Sequence, residues 1–186
     1  MTKKARRDIC QEITDQTIDK EHCYSHAREL GEQNDCTVRA LSVATQIDYP
    51  AMRYYLEEHG RQPGRGLLPA IYMQALKDLG YRLTALDGPR YLYQSTQVRP
   101  HYRYDRRTGQ YVYVDWTKRF TRRKHRAGKD YNAATVRTLA RELTEGTYLV
   151  HTNGHVLCLK DGVVHDFTDG RLHRVVGVTK VEEPGE

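Results

Sequence analysis

The chain has 186 residues, of which 38% are hydrophobic and 29% charged, and it carries a formal net charge of +6. This composition suits one domain with a modest core, and no apolar run approaches the length of a membrane span. The N-terminal MTKKARRDICQ has no apolar stretch after its basic residues, so no secretory signal is predicted and a cytoplasmic location is expected.

The first 30 residues are polar and mostly helix-compatible, and residues 1–30 are interpreted as an N-terminal arm that precedes one domain at 31–186. Two cysteines and two histidines lie within the arm: Cys10, His22, Cys23 and His26. Their spacing fits no paired-ligand zinc signature, so no metal or other cofactor is predicted. The four cysteines of the whole chain are scattered, which favours reduced thiols over a disulfide framework.

Helical signals begin after Gly31. Asn34 and Asp35 are favourable N-cap residues, and the apolar spacing that follows them predicts a helix whose first turn contains Cys36. Asp48 is expected to cap a second helix with Pro50 in its first turn, and a third amphipathic helix and a short strand follow a glycine-rich loop.

The middle of the chain differs from both ends and is interpreted as a basic, tyrosine-rich insertion at about 91–131. From 99 to 129 there are 11 lysines or arginines and only two acidic residues, and seven of the 14 tyrosines lie within 91–131. The segment GQYVYVDW predicts a strand that pairs with the preceding residues across the turn DRRTG.

This insertion supports a binding alternative, because basic side chains interleaved with aromatic ones can hold phosphates and stack on bases, or recognise an acidic protein. A solvated basic loop is the more common outcome for such a segment. The residues that would make these contacts are Arg119, Arg122, Arg123, Lys124 and Arg126.

The C-terminal part predicts a helix from about 131 to 145, followed by four strands. The strand segments are TYLVH, HVLCLK, VVHDFT and HRVVGVTKV, separated by Asn-Gly and Asp-Gly turns. Helices first and an antiparallel meander afterwards indicate the α+β class, with N-terminal helices packed on a C-terminal antiparallel sheet.

Cys36 and this meander together suggest nucleophilic chemistry. A thiol at a helix N-terminus is favoured as thiolate, but it needs a base within reach and a group that orients the base. A two-residue turn at Asp161-Gly162 would place His155 and Asp166 on one face of a hairpin as diagonal neighbours. His151 is a weaker candidate for the base, and the alternative for Asp166 is a surface residue paired with an arginine.

The segments NDCTVRAL and GHVLCLKDGVVHDF, in the order cysteine, histidine, acid, resemble the papain-like cysteine peptidases, especially the small bacterial and phage-type members related to the bacteriocin-processing peptidases. The resemblance implies Cys36 as nucleophile, His155 as general base and Asp166 as orienting acid. It also implies a protein or peptide substrate and a bacterial or phage-infected cytoplasm. Leu30 occupies the position of the usual oxyanion glutamine, so Gln33 and Asn34 are the candidates for that role.

The same three residues serve more than one reaction. Transfer of the acyl group to water gives a peptidase or amidase, transfer to an amine gives transglutaminase-like ligation, and a glutamine side chain as substrate gives deamidation. The resemblance favours the peptidase. The alternative from another class is an inactive papain-like fold that uses the basic 99–129 segment as a binding module.

Overall fold

The fold is taken from a computed structural model, which describes residues 17–86, 101–105, 110–114 and 134–184. This part of the chain forms five α-helices and seven β-strands, and all of the strand pairs in it are antiparallel. The predicted α+β class is therefore confirmed. None of the described helices is both long and apolar enough to cross a membrane.

Four helices come first and a fifth lies before the main run of strands. They are α1 (Lys20–Glu29), α2 (Cys36–Thr45), α3 (Tyr49–Glu58), α4 (Pro69–Asp78) and α5 (Val136–Glu142). Pro50 and Pro69 lie in the first turns of α3 and α4, where the fixed φ of proline suits a helix and its missing N–H breaks no helical bond.

Five of the seven strands form one sheet in the order β1-β7-β4-β5-β6, and the other two, β2 and β3, form a separate hairpin. The strands are β1 (Arg82–Ala85), β2 (His101–Asp105), β3 (Gln110–Val114), β4 (Thr147–Thr152), β5 (His155–Lys160), β6 (Val163–Val164) and β7 (Gly177–Glu182). Both predicted two-residue turns beside β5 are present, since Thr152 pairs with His155 and Lys160 pairs with Val163.

The sheet separates two hydrophobic cores, and alternate side chains of its central strands enter each of them. On one face, Leu149, Val156 and Cys158 pack with the buried side chains of α1 to α4. On the other face, Val150 and Leu157 belong to a smaller core that includes the buried residues of α5. Both faces of β4 and β5 are therefore covered, which explains their nearly continuous apolar sequence.

Helix α2 lies at the centre of the first core. Its buried residues are Thr37, Val38, Ala40, Leu41, Ser42, Val43 and Ala44. The helix packs against β5, α1 and α3, so its position is determined from several sides. The N-terminal end of this buried helix is consequently held next to the first residue of β5, which is His155.

Residues 17–30 contribute to the core. Cys23 is fully buried and Ala27 is 7% exposed, and both pack with α2 and α3. The hydrogen bonds between Gln46 and the backbone of Ile18 hold the chain just before α1 against the end of α2. Residues 1–16 of the predicted arm lie outside the described residues.

Several predicted boundaries are wrong. The strand predicted for VVHDFT ends at Val164, and the last strand begins at Gly177 instead of within HRVV. The fifth helix ends at Glu142, before the predicted end at 145. Asp48 is the N-cap residue of α3 but makes no side-chain capping bond, because its carboxylate contacts His22 instead.

The hairpin predicted in the middle of the chain is present, with β2 and β3 paired from His101–Val114 to Asp105–Gln110. The basic residues predicted to contact nucleic acid or an acidic partner, at 119, 122, 123, 124 and 126, lie outside the described residues.

Candidate active site

Cys36 is the first residue of α2, as its sequence context predicts. The N-cap residue Asp35 makes no side-chain capping bond, because its carboxylate accepts a hydrogen bond from Tyr49 at 2.7 Å and pairs with Arg39 at 3.0 Å. The backbone N–H groups of the first turn therefore lack this capping acceptor and add to the positive end of the helix dipole. Such a terminus favours an anion, here the Cys36 thiolate.

The thiol of Cys36 interacts with the first two residues of β5. The imidazole of His155 and the backbone N–H of Val156 are close enough to the sulfur for both to favour the thiolate. Burial alone would raise the pKa of the Cys36 thiol, but these interactions outweigh burial and lower the pKa below the ordinary thiol value. The packing of α2 on β5 thus supplies both the proton acceptor and a donor to the sulfur.

The imidazole of His155 also contacts the carboxylate of Asp166. Its Nε2 lies 2.8 Å from Oδ2 of Asp166, which leaves Nδ1 as the ring nitrogen for the thiol of Cys36. Asp166 is only 4% exposed, so it is not the surface residue of the alternative interpretation. One imidazole therefore bridges a partly buried thiol and a buried carboxylate.

The charges of this group support one another. Burial would lower the pKa of His155, but its hydrogen bonds to Asp166 and Cys36 raise it to about 9. Burial would likewise raise the pKa of Asp166, and the interactions with His155 lower it instead. Each of the three groups therefore favours the charged form of its neighbour: the thiolate, the imidazolium and the carboxylate.

Asp166 is positioned by a turn and not by strand pairing. After the pair of Leu159 with Val164 one further backbone hydrogen bond joins the two segments, from the N–H of His165 to the carbonyl oxygen of Cys158. The backbone N–H and hydroxyl of Thr168 then both donate to Oδ2 of Asp166, at 3.1 and 2.8 Å. The predicted contact between His155 and Asp166 is therefore present, although the extended strand on which the prediction depended is not.

Two residues near the site were not predicted from the sequence, Arg39 and Tyr24. Arg39 lies 3.0 Å from Asp35 and 4.0 Å from Asp166, and its guanidinium stacks on the ring of Tyr24. The hydroxyl of Tyr24 accepts a hydrogen bond from the backbone N–H of Phe167 at 2.9 Å. Arg39 is one turn from Cys36 on α2, and this spacing was the available signal for it.

The two candidates for the oxyanion role are exposed. Asn34 has a left-handed backbone, φ 53°, and its side-chain N–H donates to the carbonyl oxygen of Gly64 at 3.0 Å. Gln33 and Asn34 line a cleft of about 340 Å³ together with residues of α1, including Tyr24. Asp35 and Arg39, on either side of Cys36 in the chain, also line this cleft but Cys36 does not, so the cleft adjoins the thiol and does not contain it.

The other described thiols have a different character. Cys23 and Cys158 are fully buried, and burial raises the pKa of each to about 12. Cys10 lies outside the described residues. Of the three described cysteines, Cys36 alone combines partial exposure with a lowered pKa.

His151, the weaker candidate for the base, has neutral partners. Its Nδ1 lies 2.9 Å from the hydroxyl of Tyr72 and its Nε2 lies 3.3 Å from the hydroxyl of Thr179. Burial lowers the pKa of His151 to about 4, so the ring is uncharged near neutral pH.

One group of potential metal ligands is present among the described residues. It lies away from Cys36 and consists of His22, His26 and Asp48.

Comparison of the chain with protein-family models, with curated proteins and with solved structures gives no match.

Proposed function

We propose that this protein is a papain-like cysteine hydrolase that transfers an acyl group through Cys36, His155 and Asp166. The observation that carries the proposal is the position of His155, which contacts the thiol of Cys36 and lies 2.8 Å from the carboxylate of Asp166. A nucleophile, a base beside it and an acid that orients the base are the parts that covalent acyl transfer requires.

In the first step the proton of Cys36 resides on Nδ1 of His155, and the thiolate attacks the carbonyl carbon of the substrate. A C–S bond forms while the carbonyl π electrons move to oxygen. Asp166 accepts a hydrogen bond from Nε2–H of His155 and stabilises the imidazolium during this step. The backbone N–H groups at the start of α2 provide donors for the oxyanion, with Gln33 or Asn34 as candidates for a second donor.

In the second step the oxyanion reforms the carbonyl, the C–N bond breaks and His155 gives its proton to the leaving amine. A thioester on Cys36 remains. His155, now neutral, accepts a proton from water as the water attacks the thioester carbonyl, and the C–S bond then breaks with the Cys36 thiolate as the leaving group. The product is a carboxylic acid, and the thiolate beside the protonated His155 is the starting state of the site.

The test is acylation by p-nitrophenyl acetate, followed by intact mass and peptide mapping. We expect a burst of p-nitrophenolate, one acetyl group on Cys36, and subsequent release of acetate. His155→Ala should slow both phases, whereas His151→Ala, a histidine on the neighbouring strand, should leave them nearly unchanged. Acetylation spread over several residues, or equal rates in both variants, would exclude the proposed chemistry.

The acceptor is identified in a second assay with casein peptides, heavy-oxygen water and an added primary amine. A hydrolase produces new carboxyl termini that contain the heavy oxygen. A deamidase converts glutamine to glutamate without chain cleavage, and a transamidase attaches the amine. If Cys36 is acetylated in a burst but none of these products forms, Cys36 is a nucleophile and peptides are not its substrates.

A further inference from the structure

We propose that His22, His26 and Asp48 form a binding site for a zinc-class divalent cation that ties α1 to the start of α3. The three side chains each offer one donor atom, and these three atoms lie within 4.8 Å of one another. The site is independent of Cys36, His155 and Asp166, and it does not rest on the proposed hydrolase activity.

The two histidines are brought together by helix periodicity. His22 and His26 are four residues apart on α1, so both rings emerge from one face of that helix, with their centroids 4.6 Å apart. The side chain of His22 is 8% exposed and that of His26 is 33% exposed. One ligand would therefore be buried and the other would face solvent, which leaves an entry path for an ion.

The third donor comes from the helix that packs against α1. Asp48 is the N-cap residue of α3, where an aspartate commonly caps the helix, but its carboxylate makes no capping bond. Oδ1 of Asp48 instead lies 2.7 Å from Nε2 of His22. The carboxylate of Asp48 therefore does not cap α3, and it lies close to the imidazoles of His22 and His26.

The donor set determines the class of ion. Two imidazoles and one carboxylate suit zinc and its neighbours among the transition metals, and they do not suit magnesium or calcium, which prefer oxygen ligands alone. Zinc bonds of about 2.0–2.1 Å in a tetrahedral site place donors about 3.3 Å apart. The donor atoms of His22 and Asp48 lie 2.7 Å apart and all three donors lie within 4.8 Å of one another, a range that includes this separation, and a water molecule would complete the fourth position.

A second carboxylate, that of Glu29, lies near the ring of His26. Nδ1 of His26 lies 3.5 Å from Oε2 of Glu29, so Nε2 is the nitrogen that remains for an ion. Metal-bound histidines usually donate their second N–H to an acceptor of this kind, which fixes the tautomer and the ring.

The competing explanation is an ion pair between His22 and Asp48 without any metal. That pair does not need His26, whereas a metal site does. Substitution of His26 therefore separates the two explanations, and because His26 is partly exposed the variant is expected to fold. His59→Ala is the matched control, since His59 also lies near an aspartate, Asp78 at 3.5 Å, but has no third donor among the described residues.

The experiment uses the full chain carrying Cys36→Ala, because a thiol beside a histidine also binds zinc. Zinc chloride is titrated by calorimetry, and the melting temperature is measured with zinc and with a chelator. Cobalt serves as the spectroscopic probe, since its absorption bands report the number and type of ligands. The variants compared are His26→Ala, Asp48→Asn and His59→Ala, each checked for folding by circular dichroism without metal.

We expect one zinc ion per chain and a melting temperature raised by about 5 °C when zinc exceeds its dissociation constant about 100-fold. His26→Ala and Asp48→Asn should each weaken zinc binding about tenfold or more, and His59→Ala should leave it unchanged. Absence of stoichiometric zinc binding overturns the proposal. Equal zinc binding by folded His26→Ala and His59→Ala also overturns it, because the ion would then bind elsewhere.

Discussion

His151 and His155 lie on either side of the turn between β4 and β5, yet their surroundings differ in charge. The ring of His151 contacts two hydroxyls, those of Tyr72 and Thr179, and burial lowers its pKa to about 4. The ring of His155 contacts a carboxylate and a thiol, which together raise its pKa to about 9 in spite of burial. Two histidines four residues apart therefore differ in charge: His151 is neutral and packs in the core, whereas His155 is protonated.

The contacting groups determine the charge state of these two histidines, since burial alone lowers the pKa of both. Desolvation disfavours the imidazolium at each position, and only His155 has an anionic partner to compensate for it. The thiols repeat this pattern, because burial raises the pKa of Cys158 whereas His155 and the Val156 N–H lower that of Cys36.

The largest expected effect is that of His155→Ala on the reactivity of Cys36, and His151→Ala is its matched control. His155→Ala should raise the pKa of Cys36 towards the ordinary thiol value and slow its alkylation by iodoacetamide at pH 6 about 100-fold. His151→Ala should change this rate by less than about threefold, since a neutral ring gives the thiolate little support. Intact-mass kinetics with peptide mapping measures both. Similar rates in the two variants would remove the distinction between the histidines.

A smaller effect is expected from Asp166→Asn, which keeps the shape of the side chain and removes its charge. The pKa of His155 should fall from about 9 towards 6.5, and alkylation of Cys36 near neutral pH should slow about tenfold. The His155 ring proton signal in an NMR titration reports this pKa directly. An unchanged midpoint would mean that Asp166 does not support the imidazolium.

The same pair makes the free energy of unfolding depend on pH. Because the folded-state pKa of His155, about 9, exceeds its ordinary value of 6.5, its stabilising contribution is complete below about pH 6.5 and is lost as the pH rises through about 9. The stability difference between wild type and Asp166→Asn should therefore be larger at pH 6.5 than at pH 10. Urea unfolding at both pH values measures it, and a constant difference would contradict the linkage.

The smallest effect concerns the neutral histidine. Tyr72→Phe removes the hydroxyl 2.9 Å from Nδ1 of His151 and leaves a buried ring nitrogen without that partner. We expect a loss of about 1 kcal/mol in the free energy of unfolding, with the alkylation rate of Cys36 nearly unchanged. Urea unfolding and iodoacetamide labelling of one preparation provide both readings. A large change in the reactivity of Cys36 would show that the His151 side also supports the thiol.

Much of the arrangement around Cys36 could be predicted from local patterns. Helix periodicity and N-cap residues located the start of α2, and the Asp161-Gly162 turn specified the pairing of Lys160 with Val163. The end of β6 could not be predicted in this way. Asp166 leaves the ladder because Thr168 offers it a local turn, and the competition between a turn and a strand depends on what packs nearby.

Capping residues illustrate the same limit. Asp35 and Asp48 both have the residue type and the position of helix caps, and neither caps with its side chain. Each carboxylate has another partner, Arg39 for Asp35 and His22 for Asp48. Side-chain contacts between distant parts of the folded chain therefore replaced the local capping bonds.

Short-range periodicity and turn chemistry are enough to specify the α+β class, the helix that begins at Cys36 and the register of the hairpin beside His155. Tertiary packing specifies which side chains meet: His155 with the thiol of Cys36, Arg39 with Asp166, and Asp48 with His22. These pairs join segments far apart in the chain. Their contacts result from how α1, α3 and β5 pack around α2, and no local pattern encodes that packing.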